Sequence, residues 1–137
     1  MYRAVDQYGQ VIDVMLSRRR DLPAARAFFA RALAVGVTPT EVTTDRAPAY
    51  PRVLDEFLPA ALHVLEQYAN NPIEADHGRL KAWLRPMRSL KRFRSAQTLA
   101  AGHAFVQNMR RGHYEIATDE PVHDRLRMAF AALAASV

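Results

Sequence analysis

Cysteine is absent from the 137 residues of this chain. Its absence excludes disulfide bridges, thiolate metal sites and cysteine nucleophiles, and it fits a reducing cytosol. Long apolar runs are also missing. No stretch approaches the roughly 20 residues of a membrane span, and the N-terminal residues lack the apolar core of a signal peptide. Half of the residues are nevertheless hydrophobic, enough for one sizeable core. We therefore expect a soluble, cytoplasmic protein with no membrane partner.

Acidic residues are absent between Arg79 and Arg111, a segment that contains nine arginine and lysine residues. Because the whole chain has a net charge of +5, the remaining residues sum to −4. This asymmetry favours a polyanionic partner, although a solvated helix face has the same composition. Arginine dominates the segment, and Trp83 and Phe93 are interleaved with it, which favours nucleic acid.

No glycine-rich phosphate loop or internal repeat occurs, and the five histidines show no i, i+4 pair that would indicate a zinc site. What is present is a succession of strand and helix patterns in the order β-β-α-β-α-β-α-α, with a further C-terminal helix. The predicted strands cover residues 2–6, 10–17, 37–44 and 60–65. The predicted helices cover residues 24–33, 48–58, 71–84, 95–111 and 121–135. This is a mixed α/β domain that begins on a hairpin.

Two carboxylates occupy positions from which they could serve one site. Asp45 follows the third predicted strand, and ligands bind beyond the carboxyl ends of strands in open α/β sheets. The alternative is that Asp45 caps the turn towards Pro48. Glu74 is the third residue of a helix that Asn71 caps, which is the usual place of a capping-box glutamate. Neither residue alone distinguishes function from local structure.

The neighbours of Glu74 favour a function. Glu74, Gly78, Lys81 and Arg85 share one helix face, with the acid at one end and the cations below it. His77 lies on the apolar side of the helix, which is typical of a core or edge histidine rather than of a ligand. Two acids beside a cationic surface suggest metal-dependent phosphodiester chemistry on nucleic acid.

Several stretches together resemble the DDE transposases of bacterial insertion sequences, and most closely the insertion sequence six group. They are Tyr2–Asp6, Arg18–Asp21 with Ala24–Phe29, Thr44–Tyr50, Asn70–His77, Leu84–Arg88 and Phe93–Ala96. The resemblance covers about Met1 to Tyr114. It implies a ribonuclease-H-like fold, the integrase/transposase catalytic core, with a mixed sheet and flanking helices. It also implies two Mg²⁺ ions, with Mn²⁺ as the alternative, and strand transfer of DNA at transposon ends.

The resemblance assigns roles by position. Asp45 matches the second acid of the catalytic triad and Glu74 the third, so both would be metal ligands. Lys81 matches the basic residue two turns below the glutamate that contacts transposon-end DNA. We expect the wider DNA-binding set to be Lys81, Arg85, Arg88, Lys91, Arg92 and Arg94.

The first acid of the family lies on a strand ahead of Tyr2, and the helix-turn-helix that reads the terminal repeats is further upstream. Asp6 and Asp13 lie on the hairpin, and neither occupies the first acid's place. We therefore expect residues 1–114 to be a partial core without its first strand and residues 115–137 to be a C-terminal helical extension. Two metals need a bridging carboxylate, so this polypeptide alone should be catalytically impaired.

Other functions stay open at this stage. The chain could be a non-catalytic DNA-binding module that pairs with full-length transposase as a regulator, or forms homo-oligomers. It could also be an unrelated metal-dependent nuclease. In the last predicted helix, we expect one apolar stripe to pack on the chain's own core, with a partner surface as the alternative. The stripe consists of Val122, Leu126, Phe130 and Leu133.

Overall fold

The computed structural model describes residues 1–65, 71–85 and 92–137. They form four strands and five helices in the predicted order. The strands are β1 (Tyr2–Val5), β2 (Val11–Met15), β3 (Glu41–Thr43) and β4 (Leu62–Val64). The helices are α1 (Leu22–Leu33), α2 (Tyr50–Phe57), α3 (Asn71–Leu84), α4 (Phe93–Arg111) and α5 (Val122–Ala135). Within these three ranges, no helix combines the length and the apolar character needed to cross a bilayer.

β1 and β2 form the predicted antiparallel hairpin, and Asp6 organises its turn. The Asp6 Oδ1 atom accepts hydrogen bonds from the backbone N–H groups of Tyr8, at 2.9 Å, and Gln10, at 2.8 Å. Gly9 has a φ of 84°, a left-handed conformation that glycine adopts without steric cost. Local side-chain chemistry therefore determines this turn, as is common for aspartate.

One extra residue in β2 decides which side chains the hairpin buries. The pairing with β1 passes from Val11 to Asp13, so Ile12 is a bulge. Side chains alternate between the two faces of a regular strand. Val11 and Val14, three positions apart, would therefore point to opposite faces. The bulge returns both to one face, where both are buried.

The hairpin lies between two apolar clusters. One face packs on α1 and α2, and Tyr2 stacks there on Phe28 with ring centroids 5.4 Å apart. The other face packs on α3 and α4, where Val11 and Val14 contact small alanines and Leu80. The buried members of the first cluster are Tyr2, Ala25, Phe28, Phe29, Val53, Leu54 and Leu58. Those of the second are Val11, Val14, Leu80, Ala100 and Ala104.

Two side-chain amides of α4 occupy the outer edge of β2. The Asn108 amide accepts from the Val11 N–H and donates to the Val11 carbonyl, both at 2.8 Å. The Gln97 amide accepts from the Leu16 N–H at 2.7 Å and donates to the Val14 carbonyl at 2.8 Å. Asn108 follows Gln97 by eleven positions, which is roughly 16 Å along the helix. This is about the distance along a strand from Val11 to Leu16, five positions later. The amides thus satisfy an edge that would otherwise be open to pairing.

The second pair of strands is shorter than predicted and separate from the hairpin. β3 and β4 pair in parallel, and the described residues form two two-stranded sheets rather than the single mixed sheet that we expected. The predicted strand over 37–44 begins only at Glu41, because Pro39 precedes it without an N–H group to donate. The helix predicted from residue 48 begins at Tyr50. Val42 nevertheless packs against the same cluster as Tyr2, so both sheets contribute to one core.

Candidate active site and nucleic-acid interface

Asp45 lies directly beyond the carboxyl end of β3, as predicted. β3 pairs with β4, and the Thr44 N–H continues the ladder by donating to the Val64 carbonyl at 3.2 Å. Thr44 is buried, whereas Asp45 is exposed. The backbone up to Thr44 is therefore held by the sheet, and the first side chain beyond it reaches solvent. This is the edge at which α/β proteins bind ligands.

Only one oxygen of the Asp45 carboxylate accepts a hydrogen bond in the turn that follows β3. Its Oδ1 atom accepts a hydrogen bond from the Ala47 N–H at 3.1 Å, so the predicted capping contact is confirmed. Within the described part of the chain, no hydrogen bond or ion pair occupies Oδ2. Capping and cation binding are therefore compatible at this residue.

Two tyrosines and an arginine lie close to Asp45. Burial, and then the Asp45 carboxylate, raise the pKa of Tyr50 to about 12. Burial also raises the pKa of Tyr2, with Asp21 and Asp45 adding to the effect and Arg20 opposing it. The two rings meet edge to face, 6.4 Å apart. Both hydroxyls are neutral at physiological pH, so each can donate a hydrogen bond beside the carboxylate.

Helix α3 exposes the face that the sequence predicts. Glu74, Gly78, Lys81 and Arg85 are all exposed. Leu80, on the opposite side, is buried against the hairpin. Glu74 lies in the first turn, where the helix dipole favours a negative charge. The side chain of Asn71, the predicted cap, lies outside the described residues.

The described contacts do not join Asp45 to Glu74. Across residues 1–65, 71–85 and 92–137, no group of three or more acidic or histidine side chains could hold a metal ion. The chemistry of the two carboxylates fits a hard divalent cation, because Mg²⁺ and Mn²⁺ prefer oxygen ligands. Their convergence on one ion stays a prediction.

The two hairpin acids are engaged elsewhere. Asp6 Oδ1 binds the turn amides described above. Asp13 Oδ1 accepts from the Arg31 guanidinium of α1 at 2.8 Å. That neither residue replaces the first acid of the triad stays a prediction.

The predicted DNA-binding side chains divide between described and undescribed segments. Lys81 and Arg85 are exposed on α3, and Arg92 and Arg94 are exposed at the start of α4. Arg88 and Lys91 lie outside the described residues, as does the Trp83 side chain. At the other end of α4, Arg111 donates to the Gly9 carbonyl at 2.7 Å and so holds the helix to the hairpin turn.

A second basic segment, which the sequence indicated only as a family motif, lies between β2 and α1. Arg18, Arg19 and Arg20 are exposed in the loop between β2 and α1. The Arg18 guanidinium lies 5.9 Å from the centre of the Phe93 ring, a cation–π contact that brings the loop to the start of α4. Arg20, at the other end, influences the pKa of Tyr50 beside Asp45. The loop, which we call the arginine loop, thus contacts the start of α4 through Arg18, and the charge of Arg20 acts to lower the pKa of Tyr50.

The signal for the arginine loop was present in the sequence as three consecutive arginines. The three arginines belong to the part of the chain whose net charge is negative. Charge summed over a long segment does not show which residues fold next to one another.

Comparison with known families decides what this arrangement belongs to. The family model for the DDE domain of IS240-type transposases matches residues 1–113. The chain belongs to the DDE transposase family. Within the family it belongs to the insertion sequence six group. The matched residues include Asp45, Glu74 and Lys81.

Curated relatives agree with this assignment. The chain is 37% identical over 86 residues to transposases for the insertion sequence-like element IS431mec of Staphylococcus aureus strains Mu50 and N315. It has the same identity to the transposase for insertion sequence element IS257 in transposon Tn4003 of Staphylococcus aureus. Each alignment covers 59% of this chain and 38% of the relative, so the chain spans well under half of the length of these relatives. No solved structure matches the chain.

Proposed function

We propose that this chain is the ribonuclease-H-like catalytic core of an insertion-sequence transposase and acts in the cytoplasm on the DNA of transposon ends. One observation carries the proposal. Asp45 follows β3, a strand of the DDE-matched region, and keeps one carboxylate oxygen free of hydrogen bonds within the described residues. Glu74 contributes the second carboxylate from α3. Because only 38% of each relative is matched, transposition itself is part of the proposal.

The proposed reaction is an in-line displacement at a DNA phosphorus atom. The oxygen of water or of a DNA 3′-hydroxyl forms the new P–O bond. The bond to the leaving 3′ oxygen breaks, and that oxygen gains a proton. Bound Mg²⁺, or Mn²⁺ in its place, would activate the nucleophile and neutralise charge on the phosphate. Asp45 and Glu74 would be the ligands.

The basic side chains would hold the DNA on either side of the reacting phosphate. Lys81 and Arg85, on the α3 face below Glu74, would bind neighbouring phosphates by charge. The arginine loop, with Arg92 and Arg94, would extend this surface from the Asp45 side. Such contacts carry no sequence information, so we do not assign a preference for particular DNA ends to this part of the chain.

The fold supports the proposal in one further respect. β1 pairs with β2, and β3 with β4, while Tyr2 and Val42 pack in the same cluster. In a ribonuclease-H-like sheet, the strand that bears the first acid would pair beside β1. We assign that acid to none of the strands β1 to β4. We therefore propose that a polypeptide of residues 1–137, tested alone, has weak or no strand-transfer activity, and that the division at residue 114 separates the core from an extension.

The test is metal-dependent cleavage of an end-labelled DNA duplex by residues 1–137. We expect weak cleavage with Mg²⁺ or Mn²⁺, lowered at least about a hundredfold by Asp45→Asn or Glu74→Gln, since each removes a charged ligand. Asp55→Asn, at an exposed position on α2, is the matched control and should retain activity. Cleavage that persists in Asp45→Asn would mean that Asp45 is not a catalytic acid. If even the unmodified chain cleaves nothing, Mn²⁺ binding at Asp45 becomes the test of the site.

A second candidate function is a non-catalytic module that binds DNA and pairs with a complete transposase or with another copy of itself. The absence of a three-acid cluster among the described residues favours it. This candidate predicts salt-sensitive DNA binding that Asp45→Asn leaves unchanged. It also predicts that mixing the chain with active transposase lowers strand transfer. Sequencing upstream of the Met1 codon distinguishes a continuing reading frame with an aspartate-bearing strand from a stop or frameshift.

A further inference from the structure

A buried threonine joins the backbone of Asp45 to a histidine on the neighbouring strand. The Thr44 Oγ1 atom lies 2.8 Å from the Asp45 carbonyl oxygen and 2.7 Å from the Nε2 atom of His63. Thr44 is 8% exposed. His63 is the central residue of β4 and is opposite Val42 in the parallel ladder. The histidine therefore reaches the segment beyond β3 from the strand that β3 pairs with.

Counting protons assigns the direction of both hydrogen bonds. A carbonyl oxygen can only accept, so the single proton of the Thr44 hydroxyl is donated to the Asp45 carbonyl. The hydroxyl oxygen must then accept from His63, which requires a hydrogen on Nε2. Both the Nε2–H neutral form and the charged imidazolium meet this requirement. The Nδ1–H neutral form does not.

The pair restrains Asp45 in addition to the sheet and the turn. The Thr44 N–H is bound to the Val64 carbonyl, the Asp45 carbonyl is bound to the Thr44 hydroxyl, and Asp45 Oδ1 is bound to the Ala47 N–H. With these three bonds made, both the peptide and the carboxylate of Asp45 have a defined direction. A carboxylate already oriented loses less conformational freedom when it binds an ion.

We propose that His63 is a positioning residue for Asp45, acting through the Thr44 hydroxyl to hold the carboxylate in the direction that binds the divalent cation. The inference rests on the proposed function, because it assigns the ion to Asp45. It adds a residue that contacts neither the ion nor DNA. His63 acts here as a hydrogen-bond donor and not as an acid, base or metal ligand.

The first measurement is the tautomer of His63 in the ¹⁵N-labelled chain, read from long-range ¹H–¹⁵N correlations of the imidazole. We expect a hydrogen on Nε2 that exchanges slowly with water, and faster exchange in Thr44→Val, which removes the acceptor. Thr44→Ser retains the hydroxyl and should retain slow exchange. An Nδ1–H neutral ring would overturn the proposal, because that ring cannot donate to Thr44.

The second measurement is Mn²⁺ binding, followed by paramagnetic broadening of the backbone amide signals next to Asp45. His63→Phe should weaken binding about fivefold, the effect of one hydrogen bond, whereas His63→Gln, whose side-chain N–H can replace Nε2–H, should stay close to the unmodified chain. His123→Phe, at an exposed position on α5, is the control and should have no effect. If His63→Phe does not fold, Thr44→Val provides the same readout with less change of volume.

The outcomes separate the two proposals. If Asp45→Asn abolishes the broadening while His63→Phe and Thr44→Val leave the affinity unchanged, the positioning role is wrong and the Asp45 site stands. If Asp45→Asn leaves the broadening intact, the ion is not bound by Asp45, and both proposals fail. If His63→Phe weakens Mn²⁺ binding and His63→Gln binds Mn²⁺ as tightly as the unmodified chain, the positioning role is supported specifically.

Discussion

At the scale of single residues, Asn108 connects the helical layer to the hairpin. Its side chain is 2% exposed, and its amide both accepts from and donates to the backbone of Val11. The sequence offers no sign of this role, because an asparagine in the middle of a helical pattern reads as a surface residue. Only the approach of α4 to the edge of β2 makes an amide suitable here.

Replacing Asn108 tests the importance of this contact. Asn108→Ala removes two buried hydrogen bonds and leaves the Val11 N–H and carbonyl without their partner, so the free energy of unfolding should fall by about 3 kcal/mol. Urea denaturation followed by circular dichroism measures it. The neighbouring Gln107→Ala, at a half-buried position, should change stability by less than about 0.5 kcal/mol. Equal losses in both variants would mean that the helix position matters and the amide does not.

Asp45 and Thr44 show how adjacent residues divide two tasks. Thr44, buried at the end of the ladder, carries the hydrogen bonds that define the backbone. Asp45, exposed one residue later, retains an oxygen for a ligand. The sequence predicted the acid and its position at the strand end. It did not predict the histidine, since His63 is eighteen residues from Asp45 and no local pattern relates the two.

At the scale of secondary-structure elements, α4 packs through its small residues. Among its large apolar side chains, Leu99 and Phe105 are exposed, whereas Met109 is fully buried. Ala100, Ala104 and Asn108, at successive i+4 positions, face the hairpin instead. The bulge in β2 and the two amide contacts require a close approach of the helix, and alanine permits it.

The end of α4 depends on Gly112. Gly112 has a φ of 77°, and its N–H donates to the Met109 carbonyl at 3.1 Å in a left-handed cap. A Cβ atom built on it would lie 2.8 Å from the Arg125 guanidinium. That guanidinium donates to the carbonyls of Arg110, Thr118 and Glu120. Arg125 therefore links α5 to the end of α4.

Two glycine-to-alanine variants of α4 should have opposite effects. Gly112→Ala introduces a strained conformation and displaces Arg125, so stability should fall by about 1–2 kcal/mol. Gly102→Ala, within the helix and with open space around its Cβ position, should gain about 0.5–1 kcal/mol. Thermal and urea denaturation of both variants give the comparison. If Gly112→Ala left the free energy of unfolding unchanged, α5 would not depend on this cap.

The apolar stripe of α5 is only partly buried. Leu126 and Leu133 are half-buried, whereas Val122 is 63% exposed and Phe130 47% exposed. Ala129, on the same predicted helix, is fully buried. The expectation that the stripe packs on the core was therefore wrong for Val122 and Phe130. As in α4, an alanine is among the most buried residues of the helix. Hydrophobic periodicity alone would instead predict that the large apolar side chains are the most buried.

At the scale of the whole molecule, the fold brings together basic residues that are far apart in the sequence. Arg18 lies against Phe93 although 75 positions separate them in the sequence. The arginine loop and the start of α4 thereby become one basic surface.

The contribution of the arginine loop can be measured by the salt dependence of DNA binding. Replacing Arg18, Arg19 and Arg20 together with glutamine should make the slope of log K against log salt shallower by up to about 2–3, since each phosphate contact contributes about 0.9. Fluorescence anisotropy with a labelled duplex, over a range of salt concentrations, gives the slope.

A matched triple variant controls for the change in net charge. Arg26, Arg31 and Arg127 each pair with a carboxylate, at 2.7, 2.8 and 3.3 Å. Replacing these three with glutamine removes the same total charge away from the proposed surface and should alter the slope by less than about one. Equal slopes for the two triple variants would show that DNA senses the overall charge and not the arginine loop.

The sequence by itself determined the features that depend on local patterns. The element order, the N-terminal hairpin and the exposed face of α3 all follow from periodicity and turn chemistry. The family was also identifiable from its motifs. Each of these features involves residues that are close along the chain, where steric and hydrogen-bonding preferences act directly.

The tertiary structure decided the features that depend on distant residues. The bulge that turns Val11 inward, the amide contacts of α4, the contact of Arg18 with Phe93, and the hydrogen bond between Thr44 and His63 each need two segments to meet. Such meetings depend on how side chains of different sizes fill a shared core, which no single segment specifies. The place of Asp45 at the end of a strand could therefore be predicted from the sequence, and the hydrogen bond of Thr44 with His63 could not.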